Sequence, residues 1–411
     1  MAENLPDEIK LNIISRFKFM KIFSKRKVVF GCVQLVLANI LADVVWAASA
    51  EDIGVLKSHG AKGDGQHDDT AAFQGAINAL PASGGTLVVP PGIYMIDATK
   101  SINLRSNMNI HLQAGAIIQA IPCGVENYAI LKAINVDNVN ISGGEIKGDR
   151  DAHQGNKGEW GMGVDLRGCK RVVIENLTVN KCWGDGIYLG HSNAPGVSGG
   201  ECENITLKNV TADENRRQGL SIVGCIGAMI LGCRFIRTHG TAPECGIDLE
   251  PSPAKRVEKI IINNCELHSN KGFGVALSGA LVVNNRVEKC SIHDNGRDGL
   301  LLAKAMATNI SENQFFNNGR SGILLMQSAR GNAIQNNKFS NTGTSKPGHY
   351  DHITVRGGSL DNRIQNNVFT ADAASRTQVR FDISLDADSK ANLVGINQRE
   401  GAAVPLRIHG N

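Results

Sequence analysis

Asp248 and Glu250 stand two residues apart in the run Gly246-Ile247-Asp248-Leu249-Glu250. In a β-strand that spacing sends both carboxyls to one side, with their backbones roughly 6.5–7 Å apart. Inverting hydrolysis of a glycosidic bond uses two carboxyls about 6.5–9.5 Å apart, one protonating the leaving oxygen and the other activating water. Asp185 is a third acid whose charge would raise the pKa of one partner. The plainer reading pairs these acids with Arg216, Arg217 or Lys255 in a surface network. A second chemistry, β-elimination or C5 epimerisation of a uronic acid, needs a cation on the substrate carboxylate, a base for the C5 proton, and an acid. Arg216 or Arg217 can supply the cation, and Tyr188 or His191 the base or acid.

These residues need an element that repeats, and the sequence supplies one. A Gly followed by aliphatic, variable and aliphatic residues recurs at Gly163, Gly186, Gly219, Gly246, Gly274, Gly299 and Gly322, in steps of 23 to 33 residues. Such a period, with a short strand per unit, marks a solenoid. A second phrase follows about ten residues later, ending on Leu177, Val210, Cys233, Cys265, Cys290, Asn313, Asn337 and Asn367. Two phrases predict two strands per coil, with the Cys and Asn columns in the core and Asn side chains bonding from coil to coil. Alternation points the variable residue of each Gly phrase outward. Asp165, Tyr188, Ser221 and Asp248 then form four consecutive polar rungs, followed by Ala276, Leu301 and Leu324. Arg167, His191, Arg216, Arg217 and Gln218 enrich that polar stretch as candidate substrate-binding residues, and Trp160 and Trp183 on adjoining turns can stack on sugar rings or cover the core. The loop 190–203 lengthens the coil beside it, as functional loops on one face of a repeat protein do.

The composition agrees with a coil of short strands: 46 Gly, 5% aromatic and 20% charged residues among 411. A net charge of +4, without a basic run interleaved with aromatics, gives no footprint for nucleic acid. Lys21, Lys25, Arg26 and Lys27 precede an apolar run from Val28 to Ala42, and small residues follow at Ala47 to Ala50. This pattern predicts a secretory signal, hence a secreted or periplasmic protein with no stable membrane span after cleavage. An uncleaved anchor is the alternative. Ten Cys would suit a disulfide framework in an exported protein, but their stacked interior positions favour free thiols acting as small hydrophobes. No metal centre is expected from Cys spacing. Gly148-Asp149-Arg150-Asp151 is an oxygen-rich candidate for calcium, interrupted by Arg150.

Residues 60–65 (Gly-Ala-Lys-Gly-Asp-Gly), 68–72 (Asp-Asp-Thr-Ala-Ala) and 89–94 (Val-Pro-Pro-Gly-Ile-Tyr) resemble the N-terminal module of the pectate lyase superfamily, shared by polygalacturonases, phage tailspike depolymerases and mannuronan epimerases. The resemblance implies a right-handed parallel β-helix and a polysaccharide substrate. The rungs also resemble the active-site rungs of polygalacturonases. Gly184-Asp185-Gly186 lies where that family has Gly-Asp-Asp, and Gln218-Gly219 where it has His-Gly. Of the family's catalytic set only Asp185 is kept: Met162, Gly186 and Gln218 replace two Asp and the His. Gly246-Ile247-Asp248-Leu249-Glu250-Pro251 loosely resembles the Asp-Pro-His-Glu element of mannuronan epimerases, without its His.

The chain is therefore expected to be an all-β, right-handed parallel β-helix with an N-terminal capping helix. Residues 1–50 form an extension and signal; 51–411 form one domain, divided into a capping module (51–97), coils (98–370) and a terminal coil or cap (371–411). The expected function is glycosidic cleavage of an acidic polysaccharide by Asp248 and Glu250, with Asp185 as electrostatic tuner and Arg216 and Arg217 on a substrate carboxylate. Lyase or epimerase chemistry at the same face, with Tyr188, and non-catalytic glycan binding are the alternatives. Oligomeric state leaves no mark in the sequence.

Overall fold

The computed structural model describes residues 56–192, 200–370, 379–400 and 408–409. The predicted signal, part of the loop 190–203, and residues 371–378 and 401–407 lie outside the described residues. Each coil contributes a strand to three parallel sheets, of 12, 13 and 13 strands. This corrects the expectation of two strands per coil. Sheet 1 carries the Gly phrases, from Ile102–Asn103 through Trp160–Arg167, Asp185–Gly190, Gln218–Ile222 and Cys245–Leu249 to Ile408–His409. Sheet 2 holds the strands that follow, such as Val257–Asn263, and sheet 3 the three-residue strands such as Glu266–His268. The fold is a right-handed parallel β-helix.

The glycine column has a steric cause. A Cβ at Gly186, Gly219, Gly246, Gly274 or Gly299 would lie 2.6–2.7 Å from the carbonyl oxygen of the next rung's glycine. Further inward the aliphatics Ile187, Leu189, Leu220, Ile222, Ile247 and Leu249 are fully buried. Between sheets 2 and 3 the chain bends through left-handed residues such as Asn264, Asn336 and Asn366 (φ 55–57°), a conformation that Asn tolerates. The next position is buried, and there Asn313 Nδ2 donates to Asn337 Oδ1 and Asn337 Nδ2 to Asn367 Oδ1, each at 3.0 Å. The other two corners carry ladders of the same kind that the phrases did not disclose: Asn270–Asn295–Asn318 before sheet 1 and Asn332–Asn362–Asn392 after it. The nine cysteines among the described residues are free, eight of them buried.

Helix α1 (Thr70–Ala79) lays Phe73, Ala76 and Ile77 on the first coil. Asp68 Oδ1 accepts from the Thr70 amide at 2.9 Å, whereas Asp69 turns back to take the Lys62 and Gly63 amides at 2.7 and 3.1 Å. The Gly-Asp-Gly turn is thereby tied to the helix start. Arg105 donates to the carbonyls of Ile77, Leu80 and Pro81 at the helix end, where carbonyls lack intrahelical partners or share them. At the far end Ile383–Leu385 pairs in register with Ile353–Val355, so this stretch continues sheet 1. His352 and Asp382 stand where earlier rungs have Gly, which is why the phrase disappears there. No helix among the described residues is long and apolar enough to cross a membrane.

Candidate active site

The outward face of sheet 1 brings the candidates together in two columns. Lys132, Asp165, Tyr188, Ser221 and Asp248 are in register on successive strands. Beside them Asp185, Gln218 and Cys245 form the second column, on the residue just before each Gly. The face is more covered than alternation alone suggests: Asp165, Asp185, Gln218, Ser221 and Asp248 are each at most 5% exposed.

Asp185 is fully buried and held by two partners. Arg217 Nη1 lies 3.2 and 3.1 Å from its two oxygens, and Ser221 Oγ donates to Oδ2 at 2.8 Å. Arg217 also meets Glu159 Oε2 at 3.2 Å. Burial raises the pKa of Asp185, opposed by Arg217 and Ser221. Asp248 has no cation in ion-pair contact among the described residues; its Oδ2 accepts from Gln218 Nε2 at 2.8 Å, and Gln218 Oε1 in turn accepts the Cys245 amide at 2.8 Å. Burial pushes Asp248 up to about 7, with the Glu250 charge adding to the rise and Arg217 opposing it. The Asp185 charge also adds, as the smallest of these contributions. Glu250, just past the strand end, is exposed. The pair thus combines a buried carboxyl whose pKa is raised to about 7 with an exposed one reachable by water.

At the other end Arg167 Nε donates to both Asp165 oxygens at 2.9 Å, and its guanidinium lies 4.9 Å from the centroid of the Tyr188 ring. Burial raises the pKa of Tyr188, with Arg167 opposing. A cleft of about 300 Å³ opens here, lined by Tyr128, Lys132, Asp165, Arg167 and Ser192 among others. His191 follows the Asp185–Gly190 strand at the same margin and is half-buried.

Two candidates are committed to the fold instead. Arg216 stacks its guanidinium on Trp183 at 3.8 Å and donates to the carbonyls of Gly158 and Trp183 at 2.8 and 3.2 Å. Trp183, 8% exposed, lies on His153 at 3.9 Å between ring centroids and donates Nε1 to Lys157 O at 3.1 Å. Arg216 and Trp183 therefore close a coil corner, and the cation facing the acids is Arg217 alone of the two. Trp160 is 45% exposed at the start of its strand. In the loop considered for calcium, Asp149 accepts from Tyr128, from the Cys123 amide and from His153, while Asp151 pairs with Lys181. The chain itself uses those oxygens. The sequence reading missed Glu159 and Lys132; only the register across strands brings them to the site.

A right-handed β-helix with a polar strip on one sheet defines the class. The family described as Rhamnogalacturonase A/epimerase, pectate lyase-like, matches residues 53–292, and the right handed beta helix region matches 229–384. The chain belongs to this pectate lyase-like family. Among curated relatives it is 32% identical over 185 residues to the SPbeta prophage-derived uncharacterized protein YorA of Bacillus subtilis, covering 39% of this chain and 32% of that protein. It thus spans about a third of that relative's length. Among solved structures it resembles the mannuronan C-5 epimerase AlgE6 A-module of Azotobacter vinelandii (TM-score 0.68, 20% identity, 86% of this chain and 97% of that one). It also resembles an exopolygalacturonase from Thermotoga maritima (TM-score 0.60, 15% identity, 84% and 91%). At these identities the likeness is one of fold.

Proposed function

We propose that the chain is an enzyme that hydrolyses an anionic polysaccharide on the outer face of sheet 1. Asp248 gives its proton to the glycosidic oxygen as the bond to the anomeric carbon breaks. Glu250 takes a proton from the water that attacks that carbon, leaving a new reducing end. Arg217, neutralised on one side by Asp185, steadies negative charge beside the acid, and Arg167 with Lys132 receives a sugar carboxylate in the adjoining cleft. The carrying observation is Asp248: buried, bonded to Gln218 and raised to about 7. Family membership and the polysaccharide-acting names among its relatives, such as iota-carrageenase and exopolygalacturonase, support the substrate class.

A second reading rests on Arg167 beside Tyr188. With a uronate carboxylate neutralised there, Tyr188 would exchange a proton at C5, and β-elimination or epimerisation would follow. Incubation with pectin, alginate, glucuronan and bacterial exopolysaccharides, following reducing ends and ultraviolet absorbance together, separates the readings. Reducing ends without absorbance support hydrolysis, and both rising supports elimination, which Tyr188→Phe should abolish. Neither signal, with solvent deuterium at C5, supports epimerisation; binding without any chemical change supports a non-catalytic glycan-binding protein.

A further inference from the structure

We infer that the same sheet face carries a second site near its C-terminal end, which binds an anionic sugar unit of the uronate type. This rests on the reading of the substrate as an anionic polysaccharide. A concavity of about 380 Å³ is lined there by Asp298, Arg320, Ser321, Tyr350, Asp351 and Arg380, with Thr354 and Arg356 beside them. Asp351 is already satisfied. Its Oδ1 takes Arg380 Nε at 3.0 Å and the Phe381 amide at 3.1 Å, and its Oδ2 takes Arg380 Nη2 at 2.7 Å and Thr354 Oγ1 at 3.2 Å.

Asp298 is different. It is 2% exposed, its Oδ1 accepts the Ser321 amide at 3.0 Å, and its Oδ2 is buried with no partner among the described residues. A native buried polar atom without a partner calls for an explanation, and a bound group is one. Arg320 and Arg356 line the concavity without an ion pair within contact distance among the described residues, and the Arg320 charge acts on Asp298 from across it. Thr354 spends its proton on Asp351 and so accepts from Ser321 Oγ at 3.0 Å, which leaves both oxygens with lone pairs that can accept a ligand hydroxyl.

The ligand must offer hydroxyls to Asp298, Ser321 and Thr354 and an anionic oxygen pair to arginine, which binds carboxylates in a bidentate fork. A uronate ring carries both. A neutral sugar leaves the guanidinium groups unused, and an inorganic anion leaves Asp298 without a hydroxyl. The site lies on the rung of Thr354, four rung steps from Asp248 by way of Ala276, Leu301 and Leu324, or roughly 19 Å at the strand spacing. A polymer lying along the solenoid axis would reach both.

The test is calorimetric titration of the full chain, carrying Asp248→Asn to prevent turnover, with uronate oligosaccharides of graded length and their carboxyl-reduced counterparts. Arg320→Ala with Arg356→Ala should weaken the longer uronates by about tenfold or more, as loss of charge-assisted bonds does, and leave the shortest ones bound at the first cleft. Asp298→Asn should weaken the same long ligands. Equal affinity in the double variant at every length, equal binding of the carboxyl-reduced oligomers, or no uronate binding at all would overturn the inference. Product formation that survives Asp248→Asn while the arginine variants still lose affinity would sink the hydrolytic reading and leave the second site standing.

Discussion

Two stretches of the same sheet face share a backbone and differ in almost everything outward. From Asp165 to Asp248 the outward column is acid, phenol, hydroxyl and acid, cross-linked by Arg167, Arg217 and Gln218. From Ala276 to Leu324 the same column joins Cys245, Phe273 and Ala303 in a small apolar cluster outside the solenoid interior, with Arg297 over the Phe273 ring at 4.2 Å. Register is continuous through both. Inward residues and the glycine column fix the coil, so outward positions can change character from one stretch to the next while the coil is kept, and chemistry is set by a handful of side chains.

The largest expected difference between the stretches is in rate. Asp248→Asn should reduce product formation by about 10²–10⁴, the usual contribution of a general acid, whereas Leu301→Ala should leave the rate per folded molecule unchanged. Similar losses in both variants, measured as initial rates on one substrate, would erase the distinction. Next in size, Arg217→Met should cost about 3–5 kcal/mol in urea unfolding at neutral pH, because Asp185 is left buried without its cation. The cost should shrink as pH falls and Asp185 is protonated.

The third test uses the pH dependence of Asp248. Its folded pKa, about 7, exceeds the roughly 3.9 of an unfolded Asp, so the native state holds the extra proton between those values. The stability this contributes is complete below about pH 4 and is lost as pH rises through 7. Relative to the native chain, Asp248→Asn should therefore gain stability as pH rises from 4 to 8, by up to about 4 kcal/mol; a Tm difference that is flat with pH would place the proton elsewhere. Smallest, Leu301→Ala in the apolar stretch should lower stability by about 1–2 kcal/mol, less than an interior leucine, since it removes contacts only from the outer cluster.

The glycine column and the outward positions were legible in the sequence because a steric requirement repeated at each rung leaves one residue type in place. Sheet 3 was not, since beyond the first coils its strands are three residues long, with a central buried side chain, such as Val179, Ala212, Phe235, Leu267 or Ile292, whose size varies too much to form a phrase. Adjacent Arg216 and Arg217 look equivalent in sequence. The corner turns one onto Trp183 and the other onto Asp185, a division that only the bend can make. Lys132 was hidden because its strand has no Gly phrase, and Glu159 because its partner is 58 residues away.

The glycine of each rung fits against the carbonyl of the next and beside corner and core side chains such as Asn215, Asn270 and Ile292. Growth by duplication of a whole coil would preserve every such contact, whereas insertion of part of one would break the stack. The molecule can thus lengthen only in increments of about 4.8 Å, and the length of the face it presents becomes a stepwise trait, altered one coil at a time.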